Sequence, residues 1–469
     1  MNLALIALVT LPFLSSAVVY LMKAHSARFL LFVIAILEII LTAAMWQTPA
    51  PSLGAWFKVD ALALLWLSLI VLVFAAASFY LVSHLRYEEK NLNRGLLEGV
   101  VFTNAPETRF IAFFFLAIGC MVLSILASNL AFMWFGLQSG ACVFAYLLYF
   151  RRYSKSLGLA WRFMTFVAIS GLLSFIATMA AMMAAETQSL PLAKYAFLCA
   201  FLSYGFLGGL APLHFWIADA HQEAPPAVGV LLSGVLTLCA LLALLRFFQL
   251  MIAVGLQSWA GHFFVYAGLF SMLCGAMLLI GQKAYFKALA YSTVAQNGMI
   301  LFGIGIGHKG IFAALLHAVN HTLLKSMLIL LAGNFFLAYG SRHAAHIRGA
   351  VQFIPVSGVC WLVGMTALAG IPPFGTFMSQ FMLLRALIEG PLWHAMFFLS
   401  MAALSFIGLF SLALPMSLGV SDQPWQREPR GRLGPVVFLA ICAVTFGFFV
   451  PQALETLLQR GANLLGAGM

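Results

Sequence analysis

His317, His321 and Lys325 recur at four-residue intervals inside a predominantly apolar run, 309–338. Residues at i, i+4 and i+8 share one helix face, stacked about 6 Å apart. Two imidazoles and an amine in such a column can pass a proton through bound water. Histidine titrates near neutral pH, and an amine withdrawn from water exchanges its proton more readily. The competing reading is a set of interhelical hydrogen bonds with no transport; three such groups together favour a hydrophilic path. Arg162, in Ala160-Trp161-Arg162-Phe163, holds a permanent charge and cannot readily give and take a proton. It suits a structural anchor or an electrostatic gate equally. With Gln138 and Gln380, these are almost the only strongly polar side chains at comparable depth, so one central polar axis is expected to run through all six. Glu38 stands alone in the run 29–46 and reads as a contact with lipid or a partner helix. Asp219 and Glu223 share a short loop ahead of Pro225-Pro226. They either cap the next helix through its dipole or funnel ions, and capping is the simpler reading.

Two apolar runs that must position these groups are interrupted. One ends in Gly208-Gly209-Leu210-Ala211-Pro212, and the other contains Gly370-Ile371-Pro372-Pro373-Phe374-Gly375. Proline removes a backbone donor and crowds the preceding turn, while glycine tolerates the bend. Breaks centred on Gly209, Pro212, Pro372 and Pro373, at matching places in two halves, point to inverted repeats around a midplane site. The alternative is that glycine and proline are simply common in membrane helices.

The solvent for all of this is lipid. Of 469 residues 64% are hydrophobic and 8% charged, against about 45–50% and 25% in soluble domains. Long apolar runs fall at 3–22, 29–46, 61–84, 110–127, 129–150, 157–184, 194–212, 226–250, 258–281, 285–306, 309–338, 350–388, 391–418 and 433–457. At roughly 20 residues per crossing these make about fourteen transmembrane helices. The fold is therefore all-α and polytopic. It divides into a three-helix segment (1–84), two inverted five-helix repeats (109–250 and 258–418) with the seventh and twelfth helices broken, and a C-terminal helix and tail (433–469).

Basic loop residues gather on one side, among them Arg86, Lys90, Arg109, Arg151, Arg152, Lys155, Lys283, Lys287, Arg342 and Arg348, whereas the other side holds Lys58, Lys194, Arg246, Lys309, Arg385 and Arg460. By the positive-inside rule both termini face the periplasm of a cell inner membrane. The net charge of +11 forms no aromatic-interleaved basic patch, which argues against nucleic acid. The seven cysteines lie singly in apolar runs with no CxxC, so neither iron–sulfur nor zinc ligation is expected. No Gly-rich phosphate loop follows a strand. No cofactor is expected in this chain, and it is not expected to be catalytic alone.

The stretch Gly209-Leu210-Ala211-Pro212-Leu213-His214-Phe215-Trp216-Ile217-Ala218-Asp219-Ala220-His221-Gln222-Glu223, together with Ala290-Tyr291-Ser292-Thr293-Val294-Ala295-Gln296-Asn297-Gly298 and the His317/His321/Lys325 helix, resembles the proton-conducting membrane transporter family. That family includes antiporter-like subunits of respiratory complex I, membrane subunits of group 4 hydrogenases and formate hydrogenlyase, and subunits of sodium/proton antiporters. The wording is nearest the hydrogenase type. The resemblance implies an antiporter-like subunit of an ion-translocating complex of the quinone-oxidoreductase or hydrogenase type. Its expected partners are other membrane and soluble subunits, lipid, and protons or Na+. The alternative is the membrane subunit of a bicarbonate/CO2 uptake system paired with a large zinc-binding protein, or of a cation/proton antiporter. The chain departs from the family pattern at Gln138, where a Glu is usual, at Leu207 and Leu238, where Lys is common, and at Gln380, where Lys or Glu stands. Gln can join a water chain but cannot store a proton, and Leu does neither. A degenerate N-terminal half-channel is therefore expected.

Overall fold

An apolar segment in a bilayer satisfies its backbone by becoming helical. In the computed structural model, thirteen helices among the described residues are long and apolar enough to span a membrane. Residues 2–47, 52–54, 56–91, 94–97, 100–421 and 424–466 are described. Residue 1, at the head of the segment expected over 1–84, and residues 467–469, in the expected tail, lie outside them.

The helices run α1 (Asn2–Tyr20), α2 (Ala24–Trp46), α3 (Ala61–Asn91), α4 (Glu107–Leu126), α5 (Leu130–Leu148), α6 (Ser154–Thr187), α7 (Leu190–Leu207), α8 (Ile217–Glu223), α9 (Pro226–Leu231) and α10 (Thr237–Ala253). They continue as α11 (Gln257–Leu279), α12 (Tyr285–Ile306), α13 (His308–Tyr339), α14 (Ala350–Phe353), α15 (Pro355–Leu368), α16 (Gly375–Ile388), α17 (Leu392–Leu418), α18 (Arg430–Phe448) and α19 (Gln452–Asn463). A π-helical turn, Leu232–Leu236, joins α9 to α10 within one span.

The chain folds as two compact units: 1–208 with 223–258, and 209–222 with 259–469. In the first, α2 and α3 run antiparallel, tied by Trp46 Nε1 donating to Ser68 Oγ at 2.9 Å and by an Arg28–Glu89 ion pair at 2.7 Å. Trp66 Nε1 donates to the Leu238 carbonyl at 2.7 Å, fastening α3 to α10. Arg246 grips both Asp60 oxygens, at 2.6 and 2.9 Å. Burial alone would raise the Asp60 carboxyl, but the hydrogen bonds and charge of Arg246 prevail and hold it below the usual carboxylate range. A small antiparallel sheet, β1 (Arg94–Leu97), β2 (Val100–Asn104) and β3 (Arg151–Arg152), joins the segment after α3 to the start of α6.

In the second unit α11 and α12 approach through their backbones. A Cβ at Gly268 would meet the Gly298 carbonyl at 2.6 Å, and one at Gly305 would meet the Gly261 carbonyl at 2.6 Å. Only glycine permits this spacing. The contact turns the other face of α12, with Ser292 and Gln296, towards α13.

Both expected breaks are present. Helix α7 stops at Leu207 and helix resumes at Ile217, with Gly209 at φ +65°; α15 stops at Leu368 and α16 begins at Gly375, with Gly370 at φ +78°. Each break contains a cis X–Pro bond, Ala211–Pro212 and Pro372–Pro373. The long run 350–388 is thus α14, α15 and α16. The last run, 433–457, is not one helix: it divides at Phe449–Pro451 into the apolar α18 and the amphipathic α19. The proline at 451 has no donor with which to continue α18.

Candidate functional site

The spine of the site is α13, whose residues from Ala313 to Phe336 are all buried. Its column meets partners that sequence spacing did not reveal. The Lys325 amine donates to the Leu289 carbonyl and to Ser292 Oγ, both on α12. One turn away, His321 is buried, and neither ring nitrogen has a hydrogen-bond partner among the described residues. The His321 and His317 rings lie parallel within 13°, with centroids 6.1 Å apart. His317 Nε2 meets Gln296 Oε1 at 2.6 Å, and its Nδ1 meets Ser379 Oγ, on α16, at 2.9 Å.

The second break packs against this column. Asn320 Nδ2 donates to the Gly375 carbonyl at 2.9 Å, fixing the start of α16. Gln296 Nε2 donates to the Leu368 carbonyl at the end of α15 at 3.3 Å. Gln380 is half-buried and shares a small cavity with Gln296 and Ser405. A Cβ at Gly370 would sit 2.0 Å from Gln380 Oε1, so the break runs directly against that amide. Gly447, on α18, covers the same break: a Cβ there would lie 1.7 Å from the Pro373 carbonyl.

The segment 209–222 belongs to this unit as well. Its freed Ala211 N–H donates to Ser271 Oγ, on α11, at 3.2 Å. Asp219 pairs with Lys287 at 3.0 Å. His221 Nδ1 bonds the Ile217 carbonyl at 2.8 Å, and the imidazole lies within electrostatic reach of Lys325. The second unit therefore carries a nearly continuous polar file, from Asp219 and Lys287 past His221, Lys325, His321 and His317 to Gln296 and Gln380.

The first unit holds a neutral counterpart. Gln138 Nε2 donates to Ser174 Oγ at 2.9 Å and to Ser170 Oγ at 3.3 Å, and Ser170 Oγ meets Ser203 Oγ, on α7, at 2.9 Å. Leu207 and Leu238 are buried beside these elements. Among the side chains of this cluster nothing can store a proton.

Several expectations fail. Arg162 is not in the axis. It is exposed on α6, where its Nε reaches the Gly158 carbonyl at 3.4 Å, because the buried stripe of that helix runs through Phe163, Val167, Ser170 and Ser174 and excludes it. Glu38 does not face lipid: it is 0% exposed, on a helix packed against α1, α3 and α4. Glu223 and Asp219 lie in α8, and neither is a side-chain cap of α9. The N-cap of α9 is Pro225 with no side-chain bond, while Glu223 pairs with Lys155 at 2.7 Å and accepts from the Tyr153 hydroxyl. Arg151, read from the sequence as a basic loop residue, proves to be buried in an ion pair. It is 3% exposed and pairs with Glu88 at 2.7 Å, with His84 at 3.3 Å from the same oxygen. The spacing of His84 and Glu88, i and i+4 on α3, was the available signal.

Residues 109–407 match the family described as NADH:quinone oxidoreductase/Mrp antiporter, transmembrane. The chain is 29% identical over 378 residues to a hydrogenase-4 component F homolog from Methylacidiphilum infernorum, covering 74% of this chain and 77% of that one. It is 28% identical over 297 residues to formate hydrogenlyase subunit 3 of Escherichia coli, covering 58% of this chain and 48% of that one. A chain in the structure of the Mrp complex from a Dietzia species superposes with a TM-score of 0.85 at 18% identity, over 100% of this chain and 98% of the other, a likeness of fold. With broken helices around a buried Lys–His column and a family match over most of its length, the chain belongs to the NADH:quinone oxidoreductase/Mrp antiporter transmembrane family, as an antiporter-like membrane subunit.

Proposed function

We propose that this subunit conducts protons through its second unit only, as part of a larger complex of membrane and soluble subunits driven by a redox reaction of the hydrogenase or quinone-reductase type. The observation that carries this reading is the asymmetry between the units. The second has an amine and two imidazoles in one buried column, whereas the Gln138 cluster of the first has amides and hydroxyls.

The chemistry follows from the hydrogen bonds. Lys325 is the amine that cycles its charge, steadied by the Leu289 carbonyl and Ser292. His321, with both nitrogens open, passes the proton on through water to His317. The partners of His317 suit either protonation state. Ser379 Oγ reaches both His317 Nδ1 at 2.9 Å and the Thr376 carbonyl at 2.9 Å. Its hydroxyl donates to the neutral ring. It rotates to donate to Thr376 when the charged ring donates to it. Gln296 Oε1 accepts from Nε2 in both states. Gln296 and Gln380 then lead the path out through the cavity they share.

Basic loop ends such as Arg151, Lys155 and Lys287 favour placing that side of the membrane in the cytoplasm, with both termini opposite. The test is proton uptake into liposomes containing the whole complex, with Lys325→Met compared to wild type at equal turnover of the driving reaction. Proton uptake is expected to vanish; equal uptake would make this subunit a scaffold.

A further inference from the structure

Among the described residues of the first unit, one buried acid neither pairs with a cation nor joins the Gln138 cluster. Glu38 lies about 15 Å along α2 from Arg28. It is 0% exposed, and neither carboxyl oxygen has a hydrogen-bond partner among the described residues. Thr42, one turn further on the same face, is 5% exposed and its hydroxyl is likewise unpartnered. So is Ser78, fully buried on α3. The Phe32–Phe79 ring contact, 4.9 Å between centroids, and the Trp46–Ser68 bond bracket this stretch of the helix pair. They bring Ser78 to within about one turn of the level of Glu38.

Among the described residues no cation pairs with this carboxyl. The helices packed on α2 are α1, α3 and α4. Apart from Tyr20 at its end, α1 has no ionisable residue. On α3 the nearest are Tyr80 and His84, followed by Arg86, Tyr87, Glu88, Glu89 and Lys90, all towards the Arg28 end. On α4 they are Cys120 and, at the Arg28 end, Glu107 and Arg109. An ionised carboxylate buried without a cation costs several kcal/mol. The group is therefore stable there as the neutral acid, or with a bound cation. Hard cations gather about six oxygens, and one carboxyl with two hydroxyls falls well short. Hydroxyls that both donate and accept suit a carboxyl that alternates between having and lacking its proton.

We propose that Glu38, with the hydroxyls of Thr42 and Ser78, forms a proton-binding site in the first unit. It is separate from the Lys325 column. Hydrophobic carbodiimides add to neutral carboxyls in apolar surroundings, so dicyclohexylcarbodiimide is the probe. The intact complex in native membranes is treated and the adduct located by peptide mass spectrometry. An adduct is expected at Glu38, forming about tenfold more slowly per pH unit once the acid ionises. Na+ at constant pH leaves the rate unchanged. The adduct is lost in the near-isosteric Glu38→Gln and retained in Lys325→Met, so this result stands apart from the fate of the Lys325 pathway. Three results overturn the site: no adduct at Glu38 in the folded complex, a rate that does not change from mildly acid to alkaline pH, or protection by Na+, which would make it a cation site.

Discussion

Replacing Gln296 by Leu keeps most of the volume of the side chain and removes two hydrogen bonds, His317 Nε2–H to Gln296 Oε1 at 2.6 Å and Gln296 Nε2–H to the Leu368 carbonyl at 3.3 Å. Stability changes first. Each buried group left without its partner costs about 1–3 kcal/mol. Apolar packing by the new side chain offsets part of this, so a net loss of roughly 1–3 kcal/mol is expected. The effect on conduction is a difference between two states of His317. A charge-assisted bond contributes about 1.5–3 kcal/mol, and the bond from the neutral ring about 0.5–1.5 kcal/mol. Loss of Gln296 therefore disfavours the charged ring by about 1–1.5 kcal/mol, a fivefold to tenfold slowing of any step through it. Proton uptake per turnover in liposomes measures this, alongside thermal unfolding of the purified complex. Gln296→Glu restores an acceptor and should recover the rate. Unchanged proton uptake in a folded Gln296→Leu complex would refute the idea that the proton charges His317.

Three further outcomes are expected. Gly370→Ala must accept φ +78° and a Cβ 2.0 Å from Gln380 Oε1; it should lower thermal stability by at least about 1–2 kcal/mol, more than Gly255→Ala at φ +75° with open space around it. Gln138→Glu places a carboxylate among hydroxyls and should destabilise the detergent-solubilised protein by several kcal/mol, with Leu207→Lys in the same chain recovering part of the loss if the two charges meet; a double variant no better than the sum of the singles would show that they do not. The Asp60–Arg246 pair depresses the folded carboxyl, so its stabilisation is fully present above the ordinary carboxylate value of about 3.9 and is lost as pH falls through the lowered one. Asp60→Asn should therefore lower the melting temperature at neutral pH, with the gap to wild type closing only in strong acid.

Apolar run length made the polytopic helical fold legible in the sequence, because a bilayer leaves such segments one backbone solution. The breaks were legible too, since Gly209, Pro212, Gly370, Pro372 and Pro373 restrict the backbone wherever they occur. The His317, His321 and Lys325 column followed from helix geometry, which repeats every 3.6 residues whatever surrounds it. Facing relations were different. Arg162 and Gln138 are both polar in sequence, yet Arg162 is exposed on α6 and Gln138 buried on α5, because packing decides which stripe of each helix turns inward. Glu38 reads by its isolation as a contact with lipid or a partner helix, and it is buried because α1, α3 and α4 pack on its stripe of α2. Ser292, Gln296, Asn320 and Ser379 are ordinary polar residues until α12, α13 and α16 meet. Spacing along one helix is set by covalent geometry, so the sequence determined the column. Its partners come from other helices, and the side chain an imidazole or amine meets is decided by how those helices pack.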